Sequence, residues 1–311
     1  MKKIIFTALM TLTFFVVSAQ KHNIVNASIA LKNSNLIEAK DYIDQAFNNE
    51  KTSNEPKMWN YRAKIYLEIS RLQLKDSTVS IDKDAIFKAS EAHTKCLQTN
   101  KRGKIVVRKW TSEEDVRNGL MQCALLLFNM GGAAYDAKDY NLALTYYNET
   151  LNILPYDNDG ILTIKKENVL YNSVFAARAL KDAKMAEKFL QKLIDVDFNE
   201  PNIYVFMSES MIDQGNTDSA LEFLSIGRAK YPSNEFLQVA AEPGIVVRSV
   251  LVVHLILGPL VPLREAPRGV HPAVGSTAQL LVLARRGEQH EPSEVVERLP
   301  HVVEGARDED V

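Results

Sequence analysis

Five stretches of the chain repeat one spacing: a small residue, a bulkier side chain four positions later, and a packing residue three after that. They are Ala39-Ile43-Ala46, Ala89-His93-Cys96, Ala143-Tyr147-Thr150, Ala186-Leu190-Leu193 and Ala220-Leu224-Gly227, with Pro155 and Pro232 five residues beyond the third and fifth. The i, i+4, i+7 step places each triplet on one face of a helix. Upstream of four of them lies a second segment of helical period: Trp59-Arg62-Ala63-Tyr66, Leu127-Met130-Gly131-Ala134, Leu170-Val174-Ala177 and Tyr204-Met207-Ser208-Met211. Ala186 and Ala220 are 34 residues apart, while the earlier intervals of 50, 54 and 43 require insertions. A helix pair this short cannot bury a core of its own, so the pattern demands a linear stack in which each pair covers its neighbour.

The run Gly131-Gly132-Ala133-Ala134-Tyr135, continuing through Tyr140, Ala143 and Tyr147 to Pro155, resembles the tetratricopeptide repeat, whose pattern is W-x2-L-G-x2-Y followed by A-x3-F and P over 34 residues. Residues 201–234 resemble it nearly as well. Units are placed near 22–51, 56–100, 124–157, 167–200 and 201–234, within a repeat domain spanning 20–241. The second unit departs from the pattern: Arg62 stands where an apolar residue belongs, and about fourteen extra residues separate its helices. The resemblance implies an all-α fold, a right-handed superhelical solenoid of stacked antiparallel helix pairs, with an irregular C-terminal tail beyond it. Small residues such as Gly131, Ala143 and Gly227 let paired helices approach closely, and prolines 155, 201 and 232 fall between pairs. Thr111-Ser112-Glu113-Glu114 reads as a capping-box start for a long helix running to about Ala137.

Two flanking segments differ from this body. Residues 1–19 carry Lys2 and Lys3, an apolar run from Ile4 to Val17 and a small-residue Ser18-Ala19, the order of a secretory signal peptide cut after Ala19. The expectation is an exported protein, periplasmic or extracellular; the 14-residue apolar run is short for a membrane anchor. From residue 242 onward the chain contains no Lys, Asn, Tyr, Phe or Trp, although it has 23 Lys, 21 Asn, 11 Tyr, 12 Phe and 2 Trp in all. The tail, 242–311, carries 7 of the 11 prolines and is expected to lie outside the repeat fold, as an out-of-frame or fused segment that interrupts an unfinished helix at 235–241. In its absence of a polar capping helix, Phe236 and Leu237 would be poorly covered. Its apolar stretch, Val246 to Leu263, is broken by Arg248, His254 and two prolines, so membrane association is not the expectation.

Residues 21–241 hold 28 Lys plus Arg against 29 Asp plus Glu, which argues against a nucleic-acid partner held by a basic field. No HExxH, GxSxG, GxxxxGK[ST] or GxGxxG occurs. Asp157-Asn158-Asp159-Gly160 has the centre of a calcium loop, but Pro155 and Lys166 stand at its end positions, so a polar turn is expected. His93 and Cys96 have metal-compatible spacing with only Cys123 as a third soft ligand; packing in the helix seam is expected instead. In an oxidising compartment Cys96 and Cys123, on consecutive helices, are able to pair. The run Lys101, Arg102, Lys104, Arg108, Lys109 reads either as a solvated loop or as a site for an anionic partner.

Function is therefore sought on the surface. By resemblance, the first helix of each pair lines a groove, which here would present Asn60 and Lys64, Phe128 and Tyr135, Tyr171, Phe175 and Arg178, then Asn202 and Glu209. The reading is a non-enzymatic scaffold or adaptor binding a protein or peptide, with no cofactor, no metal and no nucleic acid. The Lys and Asn pattern by which some relatives hold a C-terminal carboxylate is absent: Asn60 and Lys64 have no counterpart in the next unit. The alternatives are a structural component of an envelope assembly and, in another class, an enzyme using Glu113, Glu114 and Asp115, which diverge around a helix and build no paired acid and base.

Overall fold

A computed structural model of the chain describes residues 22–76, 78–234 and 237–238, all within one compact unit. The expected signal peptide, residues 1–19, and the tail, 242–311, lie outside the described residues. Ten α-helices run through them: α1 (22–32), α2 (Leu36–Phe47), α3 (Pro56–Lys75), α4 (Ala85–Cys96), α5 (Glu113–Asp136), α6 (Tyr140–Ile153), α7 (Lys166–Ala179), α8 (Ala183–Asp195), α9 (Asn202–Asp213) and α10 (Thr217–Lys230). No β-strand occurs among the described residues, only one antiparallel bridge, between Thr99 and Ile105. Helices pack chiefly on their neighbours in the chain, and α3 also touches α5, and α5 touches α7, so α3, α5 and α7 lie along one side. The fold is the all-α array of stacked antiparallel helix pairs that the repeat pattern implies.

One turn builds most of these pairs. α1, α5, α7 and α9 each end on a residue of positive φ: Ser34 (58°), Lys138 (63°), Lys181 (58°) and Gly215 (82°). In each case the following amide bonds back five residues, as Asp139 N–H does to the Ala134 carbonyl at 2.9 Å and Asp182 N–H to Ala177 at 3.0 Å, so the last carbonyls of the helix are satisfied. That following residue is always Asn or Asp, and it starts the next helix. Asn35, Asp139 and Asp182 accept the amides of Glu38, Leu142 and Met185 on their side chains. Four residues further on stands the small residue of the repeat, Ala39, Ala143, Ala186 or Ala220, fully buried. The second pair, α3 and α4, is joined by an insertion instead, pinned by Gln73, whose Oε1 accepts the amides of Ile81 and Asp82 at 3.0 and 2.8 Å.

The seam between paired helices needs close approach. A Cβ on Gly131 would overlap the ring of Tyr147, and one on Gly227 would stand 2.6 Å from Tyr204 Cβ. Both rings occupy space that any larger residue would claim.

Two expectations are corrected. The cap of α5 lies one residue later than Thr111: Ser112 Oγ accepts the Asp115 amide at 2.9 Å and Asp115 Oδ2 accepts the Ser112 amide at 3.4 Å. Ser112 is the residue with extended backbone immediately before the first helical position, the geometry a cap requires. Leu237 is fully buried rather than poorly covered, in a turn of helix capped by Asn234, whose Oδ1 accepts the Leu237 amide at 3.0 Å. Phe236 is outside the described residues.

Candidate functional site

The faces of α7 and α9 bring together five of the nine residues singled out from the sequence. Tyr171, Phe175 and Arg178 follow one another on α7, and Asn202, Phe206 and Glu209 repeat the same i, i+4, i+7 step on α9. Ring centroids of Tyr171 and Phe175 are 4.9 Å apart and those of Phe175 and Phe206 are 5.7 Å apart, both edge-on. The Arg178 guanidinium lies 3.7 Å from the Phe206 centroid, and its Nη2 is 2.6 Å from Glu209 Oε2. Its Nη1 is buried and has no hydrogen-bond partner among the described residues. Burial first, then the carboxylate of Glu200, pushes the Tyr171 hydroxyl above its ordinary pKa, against the opposing hydrogen bond to Asn202 and the charge of Arg178. Burial likewise raises Glu200.

The nine residues do not form one exposed groove. Asn60, Phe128, Tyr171, Phe175 and Glu209 are buried; Lys64, Tyr135, Arg178 and Asn202 are half-buried. The cause is packing on both sides: the α7 residues meet α9, while residues on α3 and α5 meet the second helix of their own pair. Phe128 packs on Tyr147, with centroids 6.0 Å apart, and Tyr135 on Tyr140 at 5.2 Å. Lys64 is close enough to α4 for its charge to act on His93 and Cys96. Phe206, which completes the α7–α9 cluster, is absent from the sequence selection although its place midway between Asn202 and Glu209 gave it the same helical face.

A second polar centre was legible only as an anomaly. Arg62, the departure from the repeat pattern, lies buried between the rings of Phe47 and Tyr66, 4.0 and 4.6 Å from their centroids, and its Nη1 donates to Asp44 Oδ1 at 2.7 Å. The same oxygen accepts the Tyr66 hydroxyl at 2.6 Å, and Lys40 Nζ reaches Oδ2 at 3.0 Å. Burial opposes ionisation of Asp44, but the bonds from Tyr66, Lys40 and Arg62 outweigh it and hold the carboxyl below its usual range. This centre ties α2 to α3, and its enclosure makes it a structural joint.

The remaining constellations take simple roles. Cys96 and Cys123 are buried free thiols, both pushed up to about 12 by burial. His93 fits against Gly119 of α5, where a Cβ would overlap its ring. Asp157 folds back to accept the amides of Ile161 and Leu162 at 2.8 and 2.9 Å, making the polar turn. Glu113 pairs with Arg117 at 2.7 Å while Asp115 caps its helix. No cluster of three or more His, Cys, Asp or Glu suited to a metal occurs among the described residues, and none of their helices is long and apolar enough to cross a membrane.

No protein-family model matches the sequence, and no curated protein matches it. Among solved structures the chain is similar to PilF of Pseudomonas aeruginosa, at 14% identity over 77% of this chain and 92% of that one, with a TM-score of 0.28. It is also similar to the TPR2AB domain of yeast Sti1 in its complex with pHSP90, at 18% identity over 76% and 98%, with a TM-score of 0.31. The deciding observation is internal: one turn, one Asn or Asp start and one buried alanine recur in four helix pairs, with the 34-residue step between Asp182 and Asn216. The fold is tetratricopeptide-like. In this tetratricopeptide-like array the α7–α9 cluster is where a tyrosine, two phenylalanines and an arginine converge, and Tyr and Arg are residue types that carry energy at interfaces.

Proposed function

We propose that the protein is a non-enzymatic interaction scaffold, exported through residues 1–19, that binds a segment of another protein at the α7–α9 cluster. One observation carries this reading: Arg178 holds a buried guanidinium nitrogen with no acceptor among the described residues, beside Phe206, on a pair of helices that also carries half-buried Asn202. A buried donor left unpaired costs about 1–3 kcal/mol, which an incoming acceptor recovers. Because Glu209 already balances the charge of Arg178, the fitting acceptor is uncharged, such as a backbone carbonyl, with an apolar side chain against the rings.

The test uses Arg178→Gln and Asn202→Ala, each first shown to melt as the wild type does. Proteins recovered with each form from an envelope fraction are then quantified. A partner depleted by both variants, and retained by Lys184→Gln on α8, supports the reading; recovery that never depends on Arg178 or Asn202 removes the site. Export is tested by N-terminal sequencing after cell fractionation: a start near Gln20 supports it, and an intact leader in the cytoplasm overturns it.

A further inference from the structure

The insertion between α4 and α5 is ordered by its own hydrogen bonds and by two buried side chains. Thr99 and Ile105 form an antiparallel bridge, Asn100 N–H donates to the Lys104 carbonyl at 2.9 Å and Val106 N–H to the Gln98 carbonyl at 2.8 Å. Asn100 Oδ1 accepts the Arg102 amide at 2.8 Å, closing the turn over Gly103, whose φ is 69° and beyond which nothing lies within reach of a Cβ. Ile105 and Val107 plug into the core beside Ala63, Ala92, Cys96 and Val116. With the apolar residues turned inward, Lys101, Arg102, Lys104, Arg108, Lys109 and Trp110 are all exposed.

None of these five cations forms an ion pair among the described residues. The acidic residues that follow are engaged in part, Glu113 by Arg117 and Asp115 by the Ser112 cap, which leaves Glu114 as the nearest unpaired acid in sequence. Five positive charges on ten residues, preorganised and unopposed, form an anion-binding surface. Nothing in the protein lies within 4 Å of where a Cβ on Gly103 would stand, so the tip is open to an extended surface. Trp110, exposed at its base, is a residue type that settles at the headgroup level of bilayers, where basic side chains find lipid phosphates.

We propose that the hairpin 98–110 is a contact for an anionic membrane surface, with the five cations over lipid phosphates and the Trp110 indole at the headgroup boundary. Binding of this kind strengthens with anionic lipid and weakens with salt.

The experiment is sedimentation of the full chain with phosphatidylcholine vesicles, with and without phosphatidylglycerol, at low and high salt. The expected result is salt-sensitive partitioning that rises with phosphatidylglycerol. At roughly fivefold per charge, Lys101→Gln, Arg102→Gln and Lys104→Gln together weaken it by more than tenfold. The matched variant on α8, with Lys184, Lys188 and Lys192 changed to Gln, removes the same net charge and leaves partitioning within about twofold of wild type. Equal partitioning onto both vesicle types overturns the proposal, because apolar segments alone would give it. So does an equal loss in the α8 variant, or binding to soluble polyglutamate without binding to anionic vesicles, which identifies an acidic protein as the occupant.

Discussion

Arg62 donates a 2.7 Å hydrogen bond to Asp44 from between two aromatic rings, so the residue that breaks the repeat pattern is also the one that fastens α2 to α3. Removing the carboxylate alone strands a buried cation. Asp44→Ala is expected to destabilise the fold by about 2–3 kcal/mol, less than for a fully enclosed pair because Asp44 keeps a quarter of its side chain exposed (25%). Arg62→Leu combined with Asp44→Ala is expected to cost less than the sum of the two single changes by about 1 kcal/mol or more. Urea denaturation of the four proteins measures it; strict additivity contradicts the pairing.

Adjacent glycines on α5 give opposite expectations. Gly132→Ala has open space and gains helix propensity, so it stabilises by up to about 1 kcal/mol. Gly131→Ala gains the same propensity but drives a methyl into the buried Tyr147 ring, and overpacking of about 1–3 kcal/mol decides the sign as destabilising. Thermal melts of the two variants settle the comparison, and a stabilised Gly131→Ala is the contrary result.

The pair turn offers a third test. Lys138→Gly and Lys181→Gly relieve a left-handed backbone and are each expected to stabilise by about 0.5–1 kcal/mol. Asp182→Ala loses the bond to the Met185 amide and costs about 1 kcal/mol. Urea midpoints read all three, and a destabilising Lys181→Gly counts against the turn.

His93 should make stability fall in mild acid. Burial first, then the charge of Lys64 and that of Arg71, pushes its pKa from the ordinary 6.5 down to about 4, against the weaker pull of the Val116 carbonyl. The unfolded chain therefore binds the proton more tightly. The stability that neutral His93 provides is present above pH 6.5 and drains as pH falls toward 4, by about 2 kcal/mol at pH 5. His93→Asn is expected to flatten this slope in melts between pH 7 and 5, and an unchanged slope assigns the acid sensitivity to other groups.

Periodicity made the helix faces and the all-α stacking legible, because Ala, Gly and Tyr at fixed steps leave few other ways to bury their surfaces. Which face of each first helix stays open was not legible, and Phe128, Tyr171 and Phe175 show why: their exposure depends on the helix that comes to lie against them, a long-range fact absent from any local window. Arg62 was visible as a departure, yet its partner Asp44 lies on another helix, beyond the reach of spacing arguments. The Asn or Asp that follows each left-handed residue was readable in principle, as Ser34-Asn35, Lys138-Asp139, Lys181-Asp182 and Gly215-Asn216 stand four positions before the repeat alanines.

That two-residue joint also sets where the chain tolerates extra length. Its two amides donate to the helix that ends and its Asn or Asp carbonyl accepts from the helix that begins, so a tag or domain spliced at residues 138–139 or 181–182 would have to break both at once. The connection at 97–112 already carries an excursion that returns to the stack through Ile105 and Val107, and its open Gly103 tip is the place to graft a reporter without unseating the helices on either side.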